Sequence, residues 1–189
     1  LSIINLLDVL VPGLPGAVQL AIAIAGAIPV CMLVNIIIER VAYRRLRNAP
    51  RLAPLITAIG VSTLLTTFAM MIWGRNPLPF PQLLSTEPIA IGGAVISQTQ
   101  VLLLALAALS MGALVLLVEK TKMGRAMRAT AENPRVAGLM GVKPDTVISA
   151  TFIIGAILAT IAGVMYASNY GTVQHTMGFL PGLKAFTAA

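Results

Sequence analysis

Charge is scarce in this sequence. Of 189 residues 10% are charged, and only six are acidic. Soluble domains carry about 25% charged residues. With 58% hydrophobic residues and a mean hydropathy of +0.92, a soluble fold of this length could not bury its apolar surface. Lipid must be part of the solvent. Cysteine is nearly absent: Cys31 stands alone, which excludes an internal disulfide and a multi-cysteine metal site. It falls in an apolar run and is expected to be a small core residue. Histidine is limited to His175, read as structural, so neither a Ser-His-Asp set nor a histidine metal cluster can be assembled. No phosphate-cradling glycine loop with a lysine is present either. These absences point away from an enzyme. The start, Leu1-Ser2-Ile3-Ile4-Asn5, lacks an initiator Met and a basic n-region. No cleavable signal peptide is expected, and the chain reads as the middle of a longer one.

What is present is a set of long uncharged runs, each near the ~20 residues a membrane span needs. The first, 16–38, follows a turn-forming Pro12-Gly13…Pro15-Gly16 stretch, and Pro29 inside it is expected to kink it. The second, 52–74, ends at Trp73, a residue suited to the headgroup level. The third is 98–118 and the fourth 146–167. Residues 75–97 hold Pro77, Pro79, Pro81 and Pro88 with a short apolar alternation, and read as a structured periplasmic loop containing a hairpin. The fold class is therefore all-α: a polytopic membrane helical bundle with about four transmembrane helices, part of a single transmembrane domain. No ionisable residue falls inside these spans. That argues against a carrier coupled to protons or sodium through buried carboxylates, although backbone carbonyls can also hold Na⁺.

The basic residues orient the bundle. Eleven of the 13 lie in two loops, 39–51 and 119–145, which four spans place on one side. Cytoplasmic loops carry the Lys/Arg excess, so both face the cytoplasm. The same asymmetry accounts for the net charge of +7 and pI of about 10.4 without nucleic acid. Loop 39–51 reads as a topology signal that also contacts anionic lipid headgroups. Loop 119–145 reads as ordered. Met123, Ala126, Met127 and Thr130 share one helical face. Asn133 is placed to N-cap a second helix with Pro134 at its first position, and Gly141 to close it in a left-handed cap. In the fourth span Gly155, Ala159, Gly163 and Ala167 recur every four residues, a face that lets helix backbones approach closely. Neutral polar residues in or beside the spans, among them Thr66, Thr67 and Thr160, read as packing or backbone-bonding groups. Thr151, Asn169 and Tyr170 are the candidates for lining a path.

Four segments stand out: Glu39-Arg40-Val41-Ala42-Tyr43-Arg44, Leu55-Ile56-Thr57-Ala58-Ile59-Gly60, Gly124-Arg125-Ala126-Met127-Arg128-Ala129 and Gly182-Leu183-Lys184-Ala185-Phe186-Thr187. Together they resemble the permease subunit of branched-chain amino acid ATP-binding-cassette importers, the Liv-H type. The resemblance covers nearly the whole chain, and the order and spacing of the segments make it specific. It implies a multi-pass protein of the bacterial inner membrane, without its own catalytic site, that moves branched-chain or related amino acids by alternating access. It implies as partners a second related permease, as hetero- or homodimer, two cytoplasmic ATPases that use ATP and Mg, and a periplasmic binding protein. The chain itself would bind no cofactor. Loop 119–145 would be the ATPase-coupling loop, carried by Gly124, Arg125, Arg128, Ala129 and Glu132, then Asn133, Pro134, Ala137 and Gly141. Arg125 and Arg128 would face the ATPase or lipid phosphates, and Ala129 and Ala137 would permit close seating. This sequence departs from the importer Glu-Ala-Ala motif in having Asn133-Pro134 after Glu132. Alternatives within the family are permeases for urea or short amides; outside it, an ATP-independent carrier or channel.

Overall fold

The computed structural model describes residues 16–46, 53–80, 88–91 and 94–188. Among the described residues, four helices are long and apolar enough to cross a membrane. Each is apolar on all sides, as expected where lipid or other helices surround it. We label the helices in chain order: α1 Gly16–Ile38, α2 Ala53–Trp73, α3 Gln98–Lys120, α4 Lys122–Glu132, α5 Pro134–Leu139, α6 Pro144–Tyr170 and α7 Phe179–Ala188. The path runs unbroken through Pro29 in α1.

The basic loop expected from residue 39 does not begin there. α1 continues as a widened π-turn over Glu39–Tyr43, closed by Arg44 N–H to the Glu39 carbonyl, then as a 3₁₀ turn over Arg44–Leu46. The onset of charge ends the apolar run but not the helix: long basic side chains can remain on a helix and reach outward. One consequence overturns the expectation of uncharged spans. Glu39 is only 2% exposed and lies inside the helical segment Val18–Tyr43. Cys31, expected in a core, is exposed on the bundle surface.

The core lies between α1 and α6, which pack along much of their length. Ala23 on α1 and Ala156 and Ala167 on α6 are buried, and their small side chains let the two backbones come close. The end of the bundle opposite the connector carries two short antiparallel pairings. β1 (Leu78–Pro79) pairs with β4 (Thr172–Val173), with Leu78 opposite Val173. Phe80 N–H reaches the Gly171 carbonyl at 2.9 Å, and the Phe80 ring is buried with Ala23 and Ala167. β2 (Pro88–Ile91) and β3 (Ala94–Ser97) pair antiparallel, with Ile91 opposite Ala94, as the expected hairpin. The path leaves α6 through Gly171 at φ +65°, a left-handed cap that a side chain would resist.

α2 and α3 are held far less. Met71 on α2 is 78% exposed, and Leu104 and Leu109 on α3 are 76% and 71% exposed. Such apolar surface belongs in lipid or against other membrane helices.

Candidate functional site: the polar connector and the clasp beneath it

The connector from α3 to α6 is two short helices at the end of the bundle where α1 also ends. α4 is amphipathic. Its inner face carries Met123, Gly124, Ala126, Met127 and Thr130, with Gly124 and Thr130 buried. Arg125, Arg128 and Ala129 point away and are exposed. Its start is capped by Thr121, whose Oγ1 accepts from Gly124 N–H at 3.0 Å. The turn from α3 is so tight that a Cβ on Gly124 would collide with the carbonyl oxygens of Leu117 and Val118. Only glycine permits that approach.

α5 is fastened at both ends. Asn133 Oδ1 accepts from Arg135 N–H at 3.1 Å and Val136 N–H at 3.3 Å, and Pro134 sits at the first position. At the other end Gly141 has φ +83°. Gly141 N–H meets the Gly138 carbonyl and Val142 N–H the Ala137 carbonyl, both at 3.1 Å, the paired bonds of a Schellman cap. Glu132, Asn133 and Pro134 are exposed.

Ala137 is turned the other way from the expectation. It is 3% exposed, packed inward, and cannot seat a partner. What α5 presents outward is Val136, Leu139 and Met140, at 52%, 86% and 81% exposure. Sequence reasoning passed over these three. Once Ala137 is buried, Leu139, two residues on, faces the opposite side, while Met140 is exposed at the C-cap.

Beneath the connector, α6 is clasped to the end of α1. Asn35 Nδ2 donates to the Phe152 carbonyl at 2.8 Å. Ser149 Oγ donates to Glu39 Oε2 at 3.1 Å. The Tyr43 and Phe152 rings meet at 5.2 Å, tilted by 53°. Arg44 and Asp145 form an exposed ion pair at 3.4 Å. Asn35, Glu39 and Tyr43 are four apart on one helix, and Asp145, Ser149 and Phe152 share a face of the other. That spacing was the sequence signal for the clasp. Because α4 and α5 also pack on α6, the connector and the end of α1 meet on the same element.

The small-residue stripe of α6 is mostly not used in this packing. Gly155 and Ala159 are exposed, and a Cβ built on Gly155 or Gly163 would meet nothing within 4 Å; only Ala167 is buried. The helix presents its Ala156–Thr160 side to the core instead, about one residue, or ~100°, around. Of the path candidates, Thr151 is exposed and donates to the Val147 carbonyl at 2.9 Å. Asn169 and Tyr170 line a groove of about 640 Å³ between α3 and α6, where the Tyr170 ring lies 4.4 Å from that of Tyr166.

Residues 3–189 match the protein family described as branched-chain amino acid transport system / permease component. The chain is 40% identical over 171 residues to the high-affinity branched-chain amino acid transport system permease protein BraD of Pseudomonas aeruginosa, covering 88% of this chain and 56% of that one. It is 38% identical over 179 residues to the permease protein LivH of Escherichia coli K12, covering 92% and 58%. A shorter stretch of 76 residues is 32% identical to the autoinducer 2 import system permease protein LsrC of Yersinia enterocolitica. The chain thus spans rather more than half the length of the branched-chain amino acid permeases it matches. No solved structure matches. Membrane-length helices, a capped polar connector and a family match over nearly every residue converge: this chain belongs to the permease component family of branched-chain amino acid transport systems.

Proposed function

We propose that this chain forms part of the membrane permease of an ATP-driven importer for branched-chain amino acids, in the inner membrane, with the connector α4–α5 as its docking element for a cytoplasmic ATPase. Two ATPases, a second permease and a periplasmic binding protein complete the assembly, and ATP with Mg is consumed by the ATPases. The observation that carries the reading is the outward Val136, Leu139 and Met140 on a helix locked by caps at both ends. An apolar tip of this exposure, with Arg125, Arg128 and Arg135 exposed on the same connector, fits an apolar groove with acidic groups at its rim. Names of relatives such as BraD and LivH support the amino-acid assignment over urea or short amides.

The route of force follows from rigid contacts. Movement of the ATPase displaces α5 and α4; these press on α6; the clasp carries α1 along. A six-residue helix transmits a push only if its ends do not fray, which the Asn133 and Gly141 caps prevent.

The test is Leu139→Asp with Met140→Asp in the assembled complex. Both side chains are exposed, so folding and melting temperature stay unchanged. Binding of the ATPase weakens by about 30-fold or more, as for an interface anchor, and uptake is lost. Wild-type ATPase binding would refute the docking role. Leucine uptake by vesicles lacking any ATPase would favour the carrier or channel alternative.

A further inference from the structure

The least-held span, α2, groups four of its five hydroxyls within six residues. Ser62, Thr63, Thr66 and Thr67 fall on one side of it. The three threonines bond alike, each to the carbonyl four residues back. Thr63 donates to the Ile59 carbonyl at 3.0 Å, Thr66 to Ser62 at 2.8 Å and Thr67 to Thr63 at 2.9 Å. Each of these three hydroxyls has one proton and has used it on its own helix. What remains is acceptor capacity: two lone pairs per oxygen. These three threonine oxygens are therefore matched to N–H donors.

That surface opens onto real space. A cavity of about 310 Å³ is bounded by these hydroxyls on one side and by Thr176, Phe179 and Leu180, at the start of α7, on the other. An adjoining space of about 370 Å³ shares Ser62 and Phe179 and is otherwise apolar, walled by Leu55, Ala58, Ile59 and Leu183 among others. Acceptors and an aliphatic wall thus lie side by side along one track.

We propose that this face of α2, with Thr176 and the start of α7, is a transit site for the translocated solute. It accepts the ammonium group of an aliphatic amino acid at the Thr63, Thr66 and Thr67 oxygens, and its side chain at the apolar wall. The proposal rests on the permease reading above. α2 contains no charged residue. Neutral acceptors suit transit because they compensate an ammonium in a dry site yet do not trap it as a carboxylate would.

The experiment uses the complete assembled complex in vesicles, with loaded binding protein and ATP. Leucine uptake by the wild-type complex tests the permease reading by itself. Thr66→Val with Thr67→Val keeps shape and removes acceptors; Thr66→Ser with Thr67→Ser keeps them. The valine pair should lower uptake by about tenfold, the value of one good hydrogen bond, with ATPase binding intact, while the serine pair stays near wild type. In a Cys31→Ala background, Thr63→Cys and Thr67→Cys should react with a small aqueous thiol reagent during turnover, and loaded binding protein should protect them. Valine-pair uptake at the wild-type level overturns the site. So do cysteines that stay unreactive throughout the cycle because another helix covers them.

Discussion

The pair α1–α6 and the single helix α2 are equally apolar spans that treat their polar atoms in different ways. In α1–α6 Asn35 reaches the Phe152 carbonyl, Ser149 Glu39 and Arg44 Asp145, while Thr151 and Thr160 bond within α6. In α2 they turn back: Thr57, Thr63, Thr66 and Thr67 all donate to their own helix four residues earlier. Cross-helix bonds make a rigid unit; back-bonded hydroxyls leave a helix free to face a solute or to shift. The lesson is that hydropathy alone cannot separate the frame of a permease from its lining.

Four substitutions test this contrast. Glu39→Ala should be the most damaging. It leaves a cavity and strands the Ser149 hydroxyl, at a cost of about 3 kcal/mol. Thermal unfolding of the purified protein measures it, and a smaller loss in a Ser149→Ala background would show that the two residues act as a unit. Gly124→Val comes next, at about 2 kcal/mol, because its side chain must displace backbone at the α3–α4 turn. The readout is proteolytic nicking of the connector, which should rise sharply. Gly141→Val should cost about 1–2 kcal/mol, all of it conformational, since its Cβ would meet nothing within 4 Å. Gly141→Asn should recover part of that loss, and equal losses for both variants would contradict the left-handed cap. Thr67→Val on α2 should sit within about 0.5 kcal/mol of wild type. A loss as large as that of Glu39→Ala would erase the distinction between frame and lining.

Local features were legible from local patterns. The inner face of α4 followed from the spacing of Met123, Met127 and Thr130. The caps of α5 followed from Asn133-Pro134 and Gly141, whose chemistry acts within four residues. The hairpin followed from the apolar alternation in residues 75–97. Misreadings arose where the answer depended on a distant neighbour. Glu39 looks like the first charge of a loop; it is buried because α6 brings Ser149 to it from 110 residues away. Gly155 and Ala159 look like a packing face, yet α1 meets the other side of the helix. Ala137 looks like a seat for a partner, yet the bend after α4 turns it inward.

From its letters alone, the chain dictated which runs are long and apolar enough to cross lipid and where its short helices begin and stop. Each of those depends on solvation or on backbone bonds within a turn or two. Tertiary structure decided which face of each helix meets which, and so placed Glu39 inside, Leu139 and Met140 outside, and the α2 hydroxyls in the open. The reason is geometric: a span that is apolar all round carries no record of its own rotation, and only its neighbours set it.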